Sequence, residues 1–89
     1  EAKRIGLIDE VYPHDELMSK VNELAQKIAS KGPLAIIAAK KSINYGLNVD
    51  LKSGCEHEAL LFAANCATDD KNEGTKAFLE KRKPVFKGK

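Results

Sequence analysis

The spacing of apolar and polar residues predicts helices along most of this chain. Between Asp15 and Ser30 apolar side chains recur every three or four residues, at Leu17, Val21, Leu24 and Ile28. That spacing places them on one face of a helix and leaves polar residues on the other. Gly32 and Pro33 then mark the end of this amphipathic helix and the beginning of the next.

Two further helices are apolar on more than one face. The segment from Pro33 to about Tyr45 is apolar around most of its circumference, so we expect it to be the most buried element. Asp50 is placed to cap a third helix that runs to about Cys66. Because the apolar residues of this third helix extend well beyond one stripe, we expect neighbours on more than one side, such as another chain.

The first residues predict a different kind of element. Ile5 to Tyr12 is rich in β-branched and apolar residues and ends at Pro13, which is typical of a short strand or an extended arm. A single strand is not stable alone, and the remaining pattern offers it no partner. We therefore predict a mainly α fold, with residues 1–13 as a connector and residues 14–89 as a domain of about four helices that caps a larger body.

A fourth helix is predicted near the C-terminus. Asp69 or Asp70 can cap its first turn, and Glu73 lies three residues beyond Asp70, where a capping-box acid reaches back. Gly74 indicates either a close neighbour or a tolerated small residue, and Pro84 is expected to stop the helix.

The same region carries an exposed positive charge. From Lys71 to Lys89 there are seven basic and two acidic residues, a local balance of +5 in a chain of net charge +2. This asymmetry predicts an anionic partner, with a solvated helix face and a frayed terminus as the alternative. Phe78 and Lys81 are three residues apart in the predicted helix, which would place them on one face.

Composition excludes several classes of protein. With 43% hydrophobic and 31% charged residues, the 89-residue chain is neither disordered nor membrane-spanning, since no apolar run approaches the length a bilayer needs. Cys55 and Cys66 lie on one predicted helix roughly 16 Å apart, too far for a disulfide. A reducing compartment is expected, either the cytoplasm or, in a eukaryote, the mitochondrial matrix.

No catalytic or metal centre is predicted from these residues. Glu56, His57 and Glu58 are consecutive, so a helix directs them different ways and a surface cluster is the better interpretation. Motifs for zinc proteases, phosphate loops and nucleophile elbows are absent. The basic tail lacks interleaved aromatics, so we expect no nucleic-acid partner.

Several stretches together resemble the C-terminal part of the enoyl-CoA hydratase (crotonase) family. They are AKRIGLIDEVYP, LAQKIAS, GPLAIIAAKKSIN and, most specifically, TDDKNEGTKAFLEKRKPVFKG. The resemblance implies a helical C-terminal domain that drives trimers, often paired into hexamers, after an N-terminal catalytic domain. It is nearest to short-chain enoyl-CoA hydratases of the 3-hydroxybutyryl-CoA dehydratase type, hydro-lyases of fatty-acid and butyrate metabolism.

The resemblance also implies where the chemistry lies. The carboxylates and the oxyanion-hole N–H groups of the family belong to the catalytic domain, so no catalytic residue is expected here and the chain alone is expected to be inactive. The substrate is a coenzyme A (CoA) thioester, and no cofactor is implied. Phe78 and Lys81 match the family residues that reach a neighbouring subunit's CoA site, with the lysine near the ribose phosphate. The alternative is that Phe78 packs in the core and Lys81 faces solvent.

A second class of function fits the same features. An independent helical module could bind a protein or a nucleic acid through its basic tail. The two hypotheses differ in what precedes Glu1. The family hypothesis expects a catalytic domain before it, whereas the independent module expects a start codon there.

Overall fold

A computed structural model describes all 89 residues of the chain, and its regular elements are four helices. They are α1 (Leu17–Ala29), α2 (Pro33–Gly46), α3 (Leu51–Cys66) and α4 (Asp69–Leu79). The predicted mainly α fold is confirmed. No helix combines the length and the apolar character that crossing a bilayer requires.

The first residues form no strand. The N–H of Ile5 donates to the carbonyl of Glu1, and the N–H of Leu7 donates to that of Ala2, which makes one helical turn. Gly6 closes this turn at φ +76°, a conformation that glycine adopts without strain. An arm without regular structure continues to Pro13. Of the two predicted forms, the strand is therefore wrong, because no other strand exists to pair with it.

Local sequence signals position most of the helix ends. Pro33 is the first residue of α2, where its missing N–H is not needed. The carboxylate of Asp50 caps α3 as predicted, accepting from the N–H of Ser53 at 3.0 Å. At α4 the predicted aspartate cap is wrong. Thr68 is the cap, and its hydroxyl accepts from the N–H of Lys71 at 3.1 Å.

The helices pack in series and do not enclose a core. α2 packs against α3, and α3 contacts α4. Only Ala77 and Asp70 are buried. The radius of gyration is 16.6 Å, against about 12 Å for a compact domain of this length. The prediction that α2 is the most buried element is wrong, since it has no buried residue and Ile43 is 64% exposed. No layer of this chain covers its outer face.

Candidate functional site

The start of α4 holds the C-terminal tail, the residues 80–89 that follow this helix, through a buried carboxylate. One oxygen of Asp70 accepts from the N–H of Lys87 at 2.7 Å, and the other accepts from the N–H of Gly88 at 2.8 Å. The N–H of Asp70 itself donates to the carbonyl of Lys89 at 2.9 Å. Asp70 is therefore the anchor that returns the tail to the beginning of the helix, and it is not the predicted helix cap.

A second carboxylate holds the tail one turn later. Glu73 accepts from Arg82 Nη1 at 2.6 Å and Nη2 at 3.0 Å, and from the N–H of Val85 at 2.8 Å. These donors, the guanidinium foremost, lower the pKa of Glu73 to about 2. Glu80 also accepts from Arg82 Nε at 2.6 Å. The capping-box role predicted for Glu73 is wrong, because its carboxylate is directed to the tail.

An aromatic ring joins the tail to the rest of the fold. Phe86 lies over Gly74, where an added Cβ would be 3.4 Å from the ring, and beside Gly32, where it would be 3.6 Å away. Gly74 therefore has the close neighbour that was one of its two predicted explanations. The tail bridges the beginnings of α2 and α4.

The end of α4 differs from the sequence expectation. The helix stops at Leu79 rather than running toward Pro84. The N–H of Lys81 donates to the carbonyl of Phe78 at 3.2 Å, and that of Arg82 donates to Ala77 at 3.0 Å. This pair of bonds is the Schellman motif, and it requires Lys81 to adopt a left-handed conformation, here φ 54°.

Phe78 and Lys81 consequently do not share a helix face, since Lys81 lies beyond the last helical residue. Both side chains are nevertheless open to the surroundings. Phe78 is 82% exposed and does not belong to the small core of this chain. Lys81 is exposed and forms no ion pair, whereas the neighbouring Arg82 is held by Glu73 and Glu80. An uncovered aromatic ring and a free cation thus lie within three residues of each other at the end of α4.

A separate concavity lies between the helices. It is an open groove of about 720 Å³ between α2, α3, α4 and Phe86, lined mainly by small and aliphatic side chains. Neither Phe78 nor Lys81 borders it. The groove therefore belongs to the uncovered apolar faces of the helices, and the aromatic and cationic groups at the end of α4 remain the candidate ligand contact.

The other candidate chemistry does not assemble. The ring of His57 stacks at 4.1 Å on the ring of Tyr45, and no three His, Cys, Asp or Glu side chains converge as metal ligands would. Cys55 and Cys66 are free and exposed. Along α3, Glu56 and Glu58 are exposed and His57 between them is half-buried.

Comparison with known proteins shows which family has this sequence and architecture. Residues 1–89 match the model of the family described as Enoyl-CoA hydratase/isomerase. The chain belongs to the enoyl-CoA hydratase/isomerase family. Its four helices correspond to the C-terminal portion of structures with the crotonase fold.

Relatives of this family member include two curated hydratases and a solved structure. It is 40% identical to 2,3-dehydroadipyl-CoA hydratase of Escherichia coli, over 100% of this chain and 35% of that protein. It is 43% identical to crotonyl-CoA hydratase of Syntrophomonas wolfei, over 97% of this chain and 33% of that protein. The crystal structure of an enoyl-CoA hydratase from Bacillus anthracis matches with a TM-score of 0.96 at 43% identity. The match covers 99% of this chain and 34% of that one. The chain spans about a third of the length of these relatives.

For this family member the sequence predicted Phe78 and Lys81 as ligand contacts, but it did not predict that Asp70 and Glu73 hold the tail. Glu73 and Arg82 are nine residues apart and meet only because the chain reverses after α4. No helical spacing rule pairs such positions. The one available signal was Gly74, for which a close neighbour was one of two predicted explanations.

Proposed function

We propose that this chain is the C-terminal helical domain of an enoyl-CoA hydratase, a hydro-lyase that adds water to short-chain 2-enoyl-CoA and dehydrates 3-hydroxyacyl-CoA in reverse. The observation that carries the proposal is the family match across all 89 residues. Crotonyl-CoA hydratase, at 43% identity, supports a short acyl chain. We propose a role for the intact enzyme in fatty-acid or butyrate metabolism.

The chain alone is proposed to be inactive. Hydration of the double bond needs carboxylates that transfer protons and N–H groups that stabilise the thioester oxygen as it gains charge. Asp70 and Glu73 are engaged by the tail, and Asp50 is engaged by the first turn of α3. The catalytic groups are therefore assigned to a domain outside this chain. The CoA thioester is the substrate, and no further cofactor is proposed.

The helical faces are proposed to mediate assembly into a trimer, or a hexamer of two trimers. The apolar stripe of α1 is uncovered, with Met18 64% and Leu24 58% exposed, and in α3 Phe62 is 71% exposed. Soluble proteins rarely leave so much contiguous apolar surface open to water. Closed symmetric oligomers are the common way to cover such faces.

Phe78 and Lys81 are proposed to contact CoA, most simply at the site of a neighbouring subunit. The free ammonium of Lys81 suits a phosphate, and the exposed ring of Phe78 suits the apolar part of an acyl-CoA. Neither side chain has another role within the chain. The free cysteines fit a reducing compartment, the cytoplasm or the mitochondrial matrix.

The test compares the intact enzyme carrying this sequence with the 89-residue chain alone. We expect the intact enzyme to hydrate crotonyl-CoA faster than longer 2-enoyl-CoA substrates, and the chain alone to show no turnover. Light scattering should give a trimeric or hexameric mass for the intact enzyme. Absence of hydratase activity from the intact enzyme would overturn the proposed reaction, and a monomeric mass would overturn the proposed assembly.

A further inference from the structure

Two turns of this chain are closed in the same way by different residues. Gly6 occupies the left-handed position after the first helical turn, and Lys81 occupies the equivalent position after α4. A left-handed conformation costs a non-glycine residue energy that glycine avoids. Lys81 is the one non-glycine residue of the chain with positive φ. Strain of this kind concentrates where a side chain has a function.

The backbone on both sides of Lys81 is anchored to α4. Before it, the N–H of Glu80 donates to the carbonyl of Lys76 at 2.9 Å, and the Schellman bonds tie Lys81 itself and Arg82 to the last helical turn. After it, Glu73 binds both terminal nitrogens of Arg82 and the N–H of Val85. Lys81 thus lies in a short segment whose backbone is held on both sides. The side chain of Lys81 makes none of the contacts that hold it.

We propose that the Glu73–Arg82 ion pair is a positioning element that holds Lys81 toward the nucleotide phosphates of CoA. The proposal rests on the CoA contact put forward above and adds the residues that orient it. Glu73 and Arg82 do not touch the ligand themselves. Arg82 is held by Glu73 and Glu80, whereas Lys81, like Lys83 two residues further on, forms no ion pair.

The exposure of the pair favours positioning over a purely stabilising role. The side chains of Arg82 and Glu73 are 37% and 25% exposed. Ion pairs that remain in contact with water contribute little to the free energy of folding. A two-pronged guanidinium–carboxylate contact does, however, fix geometry. Loss of the pair should therefore change the direction of Lys81 more than it changes the stability of the protein.

The experiment measures steady-state kinetics of the intact enzyme with crotonyl-CoA and with crotonyl-pantetheine, which lacks the nucleotide phosphates. The variants are Lys81→Ala, Glu73→Gln and the double variant. We expect Glu73→Gln to raise KM for crotonyl-CoA roughly threefold to tenfold while kcat is kept, because a bound group has been misplaced. KM for crotonyl-pantetheine should not change, and the double variant should be no worse than Lys81→Ala alone.

Matched controls separate charge from geometry. Lys83→Ala removes the same charge two residues away, and Glu56→Gln removes a carboxylate that makes no contact with the tail; neither should change KM. Should Glu73→Gln fold poorly, Arg82→Lys keeps the charge and loses the two-pronged contact, and it should raise KM for crotonyl-CoA in the same selective way.

The outcomes distinguish the two proposals. Unchanged KM in Lys81→Ala would overturn the CoA contact itself. A raised KM in Lys81→Ala with no change in Glu73→Gln and Arg82→Lys would overturn only the positioning role. Equal increases for crotonyl-CoA and crotonyl-pantetheine, or effects that add in the double variant, would also overturn it, since general loosening of the fold predicts those results.

Discussion

α1 and the segment formed by α4 and the tail are held by different forces. α1 has the clearest amphipathic pattern of the chain, yet none of its residues is buried, and Val21 and Leu24 are 46% and 58% exposed. The segment from α4 onward is highly charged, yet it contains both buried residues, Asp70 and Ala77. A strong apolar pattern therefore did not give burial within this chain, whereas the carboxylate of Asp70 is buried where it holds the tail.

The two regions differ in whether their interactions are completed within this chain. An apolar stripe without a cover has its free energy of burial still available, which suits contact with another surface. The carboxylates of α4 satisfy backbone N–H groups that would otherwise lack partners, so the tail has a defined path without an enclosed core. The uncovered face of the first region supports the proposed assembly, and the second region is already organised within the chain.

The largest expected effect is on subunit association through the apolar stripe of α1. Leu24→Glu places a charge in the α1 stripe, and in the intact enzyme we expect the association constant between subunits to fall at least about 100-fold, or ~3 kcal/mol. Analytical ultracentrifugation measures it. Gln26→Glu, on the polar side of the same helix, is the control. Equal masses for the two variants would show that α1 is not at an interface.

The next largest effect is expected when the buried carboxylate that holds the tail is removed. Asp70→Ala leaves the N–H groups of Lys87 and Gly88 without their acceptors, and we expect it to lower the free energy of unfolding of the intact enzyme by about 2 kcal/mol. Denaturant titration measures the change. Asp69→Ala, at the adjacent position of the first turn, should change it by no more than about 0.5 kcal/mol. Similar losses from both would mean that helix charge, and not the tail, is responsible.

A smaller effect of opposite sign is expected at the end of α4. Lys81→Gly relieves the left-handed conformation and should stabilise the protein by about 1 kcal/mol, while KM for crotonyl-CoA rises because the cation is gone. Thermal unfolding and kinetics on the same sample test both parts. Lys83→Gly should give no such gain. A loss of stability in Lys81→Gly would show that the lysine side chain contributes contacts which outweigh the strain.

The smallest effect concerns pH. The pKa of Glu73 is lowered from 4.5 to about 2 by Arg82 and the N–H of Val85. The contribution of this carboxylate to stability is therefore complete above pH 4.5 and is lost as the pH falls toward 2. Hydrogen exchange at Val85 should accelerate across that interval, and Glu73→Gln should remove the transition. Exchange independent of pH, after correction for the intrinsic rate, would contradict it.

Local signals predicted much of the fold. Pro33 after Gly32, the Asp50 cap and the spacing of Leu17, Val21 and Leu24 each act within a turn or two of helix, so the sequence states them directly. The end of α4 was missed because Pro84 only sets a limit beyond which a helix cannot continue. The Schellman turn and the Glu73–Arg82 contact close the helix earlier.

The sequence by itself determined the helices and the positive charge of the tail, because helix periodicity, capping and net charge depend on neighbours along the chain. Phe78 and Lys81 stay a prediction that the family resemblance implies. Only the tertiary structure decided that Asp70 and Glu73 bind the tail, that Lys81 lies beyond the helix in a left-handed turn, and that α2 has no buried residue. Those facts depend on which distant segments meet, and chain reversal brings residues together at separations that no local rule encodes.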